Sequence, residues 1–464
     1  MRFRCVLIGF LLSALFTPPS AWGQIVDRID LSAPSPSAAA FFGSDVSLSA
    51  DGNRALVGAT EGAACFGSPG STACGAGYVF VRSGGIWTLE ATLTLPELGI
   101  NSFGQSVALS PDGTVALVGA PLAPGCQVPI APNECGAVYA FARTGTTWAF
   151  EAKLIDPFFR TEFDHFGFDL ALSQDGSTAL IGAPGDDCIA AFIICGAAYV
   201  FKRGGGVWAL ESRLLSSPVQ TDQIGAAVAL SLDGNTALVG SAVKSKVYVY
   251  TRSGGVVWAQ QTILTGSDST VSDAFGGAVA LSGDGGVALI GAPLADCPAG
   301  QDCGAAYAFA RSGGTWTEQR KLTAAGTAPN DRFGSRVALS SDASRALILA
   351  GLEDCPAGAD CGAVYQASQS GGSWLGPVEL LAFIPGGPTF PPESLALSGD
   401  GGTGIVGVPQ APCPAGASCG IAAVFTLAFA SAVPGIPTVS GLGLLLLAML
   451  LAASGARVLA RRRG

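Results

Sequence analysis

The chain has 464 residues, of which only 12% are charged, with 65 glycines, 28 prolines and a net charge of −10. This composition excludes helical bundles rich in Glu, Lys and Ala, and the aliphatic content excludes a disordered chain. An acidic chain also lacks the basic surface that phosphate binding needs, so nucleic acid is not expected as a partner.

Residues 1–23 read as a signal peptide. Arg2 and Arg4 give a positive start, Val6 to Phe16 an apolar centre, and Ala21-Trp22-Gly23 a small-x-small cleavage site, the order that export signals share. The mature chain is expected outside the cytoplasm.

One sentence then recurs seven times, most cleanly from Phe103 to Trp148. Aligned on a Leu-Ser pair, its serines are Ser49, Ser110, Ser173, Ser231, Ser282, Ser340 and Ser398, spaced 51 to 63 residues apart. Each unit parses into four strands. Strand A is Ser106 to Ser110, with Val107 and Leu109 on one face. An Asp-Gly turn follows in six units, while the sixth has Asp342-Ala343; Asp-Gly is the strongest short hairpin signal. Strand B, Val115 to Ala120, is apolar on both faces, as a strand covered by neighbouring sheets must be. Strand C is Gly136 to Phe141, and a glycine-rich turn leads to Trp148 and strand D, ending at Leu154.

Four antiparallel strands with two buried faces, repeated seven times, predict a seven-bladed β-propeller spanning 24–431. The seventh unit ends after strand C, Ala422 to Leu427, while Ile25 to Leu31 precedes the first strand A. The N-terminal strand is therefore expected to complete blade seven and close the ring, which removes exposed edges.

Phe-Gly at residues 42, 103, 166, 275 and 333, followed by Gly-Ala-Pro at 119–121, 182–184 and 291–293, resembles the FG-GAP repeat of the integrin α-chain propeller and its bacterial relatives. Units four and seven depart from the motif, with Ile224-Gly225 and Pro391-Pro392.

Once Cys5 leaves with the signal, twelve cysteines remain: Cys65/Cys74, Cys126/Cys135, Cys188/Cys195, Cys297/Cys303, Cys355/Cys361 and Cys413/Cys419. Each pair lies between strands B and C, and unit four lacks both members together. Joint presence and joint absence predict disulfides within blades, each contributing about 2–3 kcal/mol by chain entropy, in an oxidising compartment. Two thiols without a nearby histidine make a poor zinc set.

After the propeller come a 432–438 linker, an uncharged 439–456 segment and a 457–464 tail containing Arg457 and Arg461 to Arg463. The segment is long enough for about 27 Å of helix and predicts one transmembrane helix with its C-terminus in the cytoplasm. Pro434-Gly435-Ile436-Pro437-Thr438-Val439, the apolar run and the arginine cluster resemble IPTL-CTERM sorting tails of Gram-negative bacterial surface proteins, with Val439 where that tail has leucine and no Trp-Gly after it. The resemblance implies a sorting or processing protease as a partner, and display at the cell envelope.

Groups able to carry chemistry are few. His165 is the only histidine, so any imidazole chemistry must use it. Each Asp-Gly turn offers one carboxylate, too few oxygens for calcium, so neither metal nor cofactor is expected and the aspartates are read as turn formers. Blade three alone gathers charge on the face of the B–C and D–A loops, at Glu162, Asp164, His165, Asp186 and Asp187. These five are the ligand-binding candidates, against the plainer reading of a solvated acidic rim. The expected function is non-catalytic binding of a protein or glycan through that face. The competing classes are a hydrolase using carboxylates such as Asp164 and Asp187, and a structural envelope component.

Overall fold

Strand B of blade 2, Val115–Ala120, is buried along its whole length, as its two apolar faces require. Strand A (Ser106–Leu109) pairs with it through Val107 and Val118, strand C (Ala137–Thr144) through Tyr139 and Val118, and strand D (Thr147–Leu154) with strand C through Lys153 and Tyr139. The computed structural model describes residues 25–34, 40–63, 74–95, 102–123, 135–158, 163–187, 194–216, 221–354, 360–381, 391–412 and 418–428, all within the unit Trp22–Ala428. Among these residues the strands form seven antiparallel sheets, each with the order A-B-C-D. The fold is an all-β seven-bladed propeller.

Blade seven closes the ring as its sequence predicts. Its strands A (Ser394–Leu397), B (Thr403–Val408) and C (Ile421–Leu427) are completed by Ile25–Leu31, with Ile29 opposite Val424. Blade six departs from the pattern: its outer strand is split into Ser373–Trp374 and Val378–Leu381, both paired with strand C. Pro377 lies in the gap, where it has no N–H to give a ladder.

The A–B turn is longer than a two-residue hairpin. Ser110 accepts the Gly113 N–H at 2.7 Å and donates its own N–H to Val115 at 2.8 Å. Ser110 Oγ donates to Asp112 Oδ1 at 2.5 Å and accepts the Val115 N–H at 2.9 Å, while Asp112 accepts the Thr114 N–H at 3.0 Å. The same serine–aspartate bond occurs in all seven blades. The recurring aspartates therefore hold their own turns.

Close approach between blades explains the glycines of the motif. Gly104 has φ 90° and lies against blade 1, where a Cβ would stand 2.7 Å from the carbonyl oxygens of Ala59 and Ala76. Gly58 of blade 1 faces the Gly104 carbonyl so closely that a Cβ would overlap it at 2.1 Å. The neighbouring phenylalanine turns back into its own blade: Phe103 packs on Tyr139 at 5.4 Å and Phe166 on Tyr199 at 5.3 Å, both edge-on. Its backbone holds the preceding blade, since Phe166 N–H donates to Cys135 C=O at 3.0 Å. Ile224 fills the same place in blade four, fully buried and bonded to Cys195 C=O at 3.1 Å.

Cys297 and Cys303 form a disulfide. Cys135, Cys195, Cys361 and Cys419 are also disulfide-bonded, and their expected partners, Cys126, Cys188, Cys355 and Cys413, lie outside the described residues. Blade 1 corrects the expected placement of the pairs. Cys74 does not lie in the B–C loop but opens strand C of that blade, Cys74–Ser83, opposite Ala63 of strand B. Strand B there runs on to Ala63, four residues longer than its blade 2 counterpart in register, so the ladder reaches the cysteine. Its expected partner Cys65 lies outside the described residues, and the Cys65–Cys74 bond stays an expectation of the sequence. The 1–23 signal and the whole 432–464 tail lie outside them too. Among the described residues no helix is long and apolar enough to cross a membrane; the 439–456 span is not among them.

Candidate functional site

The seven strands A surround a central channel, a cavity of about 440 Å³. The fourth residue before each turn serine holds one register position of these strands. In four blades that residue is small: Ser106, Ala227, Ala278 and Ser394. In the other three it is Asp45, Asp169 and Arg336, all facing the cavity. Three charges thus stand in one ring, two of them acids and one a guanidinium.

Both acids are tied to backbone. Asp45 accepts the Val46 N–H at 2.9 Å and, across the blade boundary, the Val107 N–H at 2.7 Å. Asp169 repeats this on Leu170 at 2.9 Å and on Val228 of the next blade at 2.6 Å. An innermost strand has one unpaired edge, and each aspartate satisfies a donor on it. Enclosure by the ring disfavours the charged form and pushes the Asp45 carboxyl up to about 7; the Val107 bond opposes this, while the charge of Asp169 adds to it. Enclosure likewise raises Asp169 to about 6, against its bonds from Val228 and Leu170. The exposed Arg336 forms no ion pair among the described residues; its Nη1 donates to the Ser335 carbonyl at 3.0 Å.

The channel opens on the face of the B–C and D–A loops into a mouth of about 650 Å³. Blades 1, 2, 3, 6 and 7 all contribute to its lining, with Gln105, Arg336, Glu393 and Gln410 as the long polar groups and Phe168, 39% exposed, as an aromatic face. Gln410 donates to Glu393 at 3.2 Å. The mouth combines a flat apolar surface with amide, carboxylate and guanidinium groups, the usual equipment of a site for polar ligands. Among the described residues no group of three or more His, Cys, Asp or Glu is placed to hold a metal.

The blade-three residues singled out by sequence occupy a different place. Glu162 lies outside the described residues. Asp164, Asp186 and Asp187 are buried at 1%, 2% and 6% exposure, so they do not form a solvated rim. The Asp186 carboxylate is held by Arg213 at 2.5 and 3.0 Å and by the Tyr199 hydroxyl at 2.5 Å. Burial raises its pKa to about 6 although Arg213 pulls the other way. The Asp187 carbonyl accepts a further bond from Arg213 at 2.7 Å.

These residues have counterparts elsewhere in the ring. A loop acid bonds the strand C tyrosine in three other blades: Asp222 to Tyr248, Asp268 to Tyr307 and Glu353 to Tyr365. Asp164 stands two residues before the motif phenylalanine, as do the buried Asp273 and Asp331, and Asp222 holds the same position before Ile224. His165 is half-buried with φ 54°, in a slot where Ser102, Gln223, Ala274 and Arg332 have the same left-handed backbone. The slot keeps its conformation while its side chain changes. Comparing registers between units would have revealed the Asp at this position, and also the charged channel ring.

Residues 148–201, 258–309 and 316–366 match the model of the FG-GAP repeat. Each match starts in a strand D and ends in the strand C of the next blade, so the sequence repeat spans a blade boundary, as the ring closure does. No curated protein matches the chain.

Proposed function

We propose that this chain, a propeller carrying FG-GAP repeats, is a non-catalytic binding protein that takes a protein or glycan ligand in the mouth of its central channel. The observation that carries this reading is the convergence of Gln105, Arg336, Glu393, Gln410 and the exposed Phe168 from four blades on one opening. Pyranose rings stack on exposed aromatic faces while their hydroxyls bond amides and carboxylates, and peptide side chains use the same groups. The residues belong to strand ends on a rigid ring, which favours a preformed site.

The hydrolase alternative names Asp164 and Asp187, which are buried at 1% and 6% exposure, and the Asp186 carboxylate beside them is already committed to Arg213 and Tyr199; this favours the binding reading. Asp45 and Asp169 are committed to backbone donors in the same way. Export by the 1–23 signal, envelope display and removal of the 432–464 tail complete the proposal; they rest on the sequence. The bonded cysteines fit an oxidising compartment.

The test is binding of the mature protein to a glycan array and to envelope proteins, repeated with Gln105→Ala plus Arg336→Ala. Loss of captured ligand in a variant that keeps the wild-type melting temperature supports the mouth as the site. Undiminished capture moves it elsewhere. Intact mass from the native envelope tests export and processing: a chain that starts at Gln24 and lacks the arginine cluster agrees with both.

A further inference from the structure

Neighbouring blades are clamped at the outer rim by one repeated device. In blades 1, 2 and 3, strand D carries a bulge, and the bulged residue is a glutamate: Glu90, Glu151 and Glu211. Each reaches the next blade, where an arginine of strand C and the tryptophan of strand D hold it. Glu151 takes Arg203 at 2.7 Å twice and Trp208 Nε1 at 2.9 Å. Glu211 takes Arg252 Nη1 at 3.1 Å and Trp258 Nε1 at 2.7 Å.

The seam where blade 7 meets blade 1 has the receiving half of the clamp with no carboxylate bonded to it among the described residues. Arg82 lies over the Trp87 ring at 5.4 Å, as Arg252 lies over Trp258 at 5.5 Å. Arg82 Nε donates to Asn53 Oδ1 at 3.1 Å, as Arg252 Nε donates to Asn235 Oδ1 at 2.9 Å. Among the described residues, the Nη1 that holds Glu211 in Arg252 has no acceptor in Arg82, whose Nη2 reaches Thr403 Oγ1 at 3.3 Å. The closing strand explains the difference. Its bulge falls at Val26, so Arg28 and Ile29 follow Phe425 and Val424 without an inserted residue, and Arg28 bonds Asp30 of its own strand at 2.8 Å. A cavity of about 290 Å³ remains, bounded by Asp27, Ile29, Arg82, Trp87, Val424 and Thr426. Asp27 is exposed and bonds neither Arg82 nor Trp87.

We propose that this seam is a binding site for a carboxylate supplied from outside the propeller, bound by Arg82 Nη1 and Trp87 Nε1 in the geometry that Glu211 adopts on Arg252 and Trp258. A planar guanidinium matches a carboxylate better than a spherical anion, and the indole donor beside it adds direction. The carboxylate belongs either to a small organic acid or to an acidic side chain of a partner; both present the same group.

The experiment uses mature protein with 15N-labelled tryptophan, the Trp87 indole resonance being assigned by Trp87→Phe. Sodium propionate, which ends like a glutamate side chain, is titrated at constant ionic strength, with propionamide as the neutral control. The expected result is a saturable downfield shift of Trp87 Nε1–H with propionate alone, absent in Arg82→Gln. Thr426→Glu, which places a carboxylate in the cavity wall, is expected to blunt the response, and this keeps the test decisive if Arg82→Gln misfolds. A capped peptide with one glutamate separates the sources: at least tenfold tighter binding than propionate assigns a partner's side chain, and equal binding assigns a small acid. No movement of Trp87, or equal movement with propionamide, overturns the site.

Discussion

Asp45 of blade 1 bonds the Val107 N–H of blade 2 at 2.7 Å, so a carboxylate facing the channel also holds two blades together. Against the pull of this bond, enclosure lifts the folded-state pKa from the ordinary 3.8 to about 7. Between those values the folded state binds more protons than the unfolded one, so this group's contribution to stability falls as pH rises from about 4 to 7 and is constant above.

Asp45→Asn keeps an amide oxygen for Val107 and removes the titration. The stability of the variant relative to wild type is expected to grow by about 1–2 kcal/mol between pH 4 and pH 7, roughly one pKa unit of the shift being worth 1.4 kcal/mol before channel water is allowed for. Urea unfolding at five pH values measures it. A difference that shrinks with rising pH would mean that the carboxylate's charge stabilises the ring.

Glu90 carries the opposite sign. Burial alone would raise its pKa, but the bonds from Arg54 at 2.9 Å, Trp148 at 3.0 Å and Arg143 at 2.9 Å hold it at about 2 instead of 4.5. Its stabilisation is therefore present above about pH 4.5 and lost as pH falls toward 2. Glu90→Gln is expected to cost about 1–3 kcal/mol at pH 7 and little near pH 2. A loss that persists unchanged into acid would assign the effect to packing.

Much of this architecture was legible in the chain because a period-two pattern on two faces admits few folds. Strand B, the Asp-Gly turns and the N-terminal closure each follow from local residue choice. What remained hidden needed registers compared between units. Asp164 looked singular in its loop, yet Asp222, Asp273 and Asp331 hold the same position. Asp45, Asp169 and Arg336 sit among Ser and Ala in the aligned column, where a charge in a channel is indistinguishable by composition from one on the outside. The rim clamp was hidden for another reason: it depends on a bulge that projects Glu90, Glu151 and Glu211 sideways, and alternation alone does not reveal a bulge.

Ala343 is the exception among the A–B turns. Its φ is 56°, where the other six blades place a glycine at φ 63° to 70°. The left-handed region costs a residue with a Cβ about 1–2 kcal/mol, partly offset by the greater freedom of an unfolded glycine. Ala343→Gly is therefore expected to stabilise the protein by up to about 1 kcal/mol, read as a rise in melting temperature. An unchanged or lower melting temperature would show that the buried methyl group contributes packing of equal size.

Closure of the ring by Ile25–Leu31 supports the strongest expectation. The strand pairs with Ile421–Leu427 over registers such as Arg28 with Phe425 and Leu31 with Ala422, and its Leu31 is buried beside Phe42 and Val57 in the blade 7–blade 1 core. Deleting residues 25–31 leaves the apolar strand C of blade seven as an open edge, the template for pairing with another chain. The shortened protein is expected to associate through that edge, seen as dimers or larger species by light scattering. A synthetic peptide of Ile25–Leu31 added in excess is expected to return it to a monomer, because the missing strand binds only the folded ring and so shifts the equilibrium by mass action. A shortened chain that stays monomeric and melts with the full-length protein would show that the six remaining blades and three strands close without the N-terminal strand.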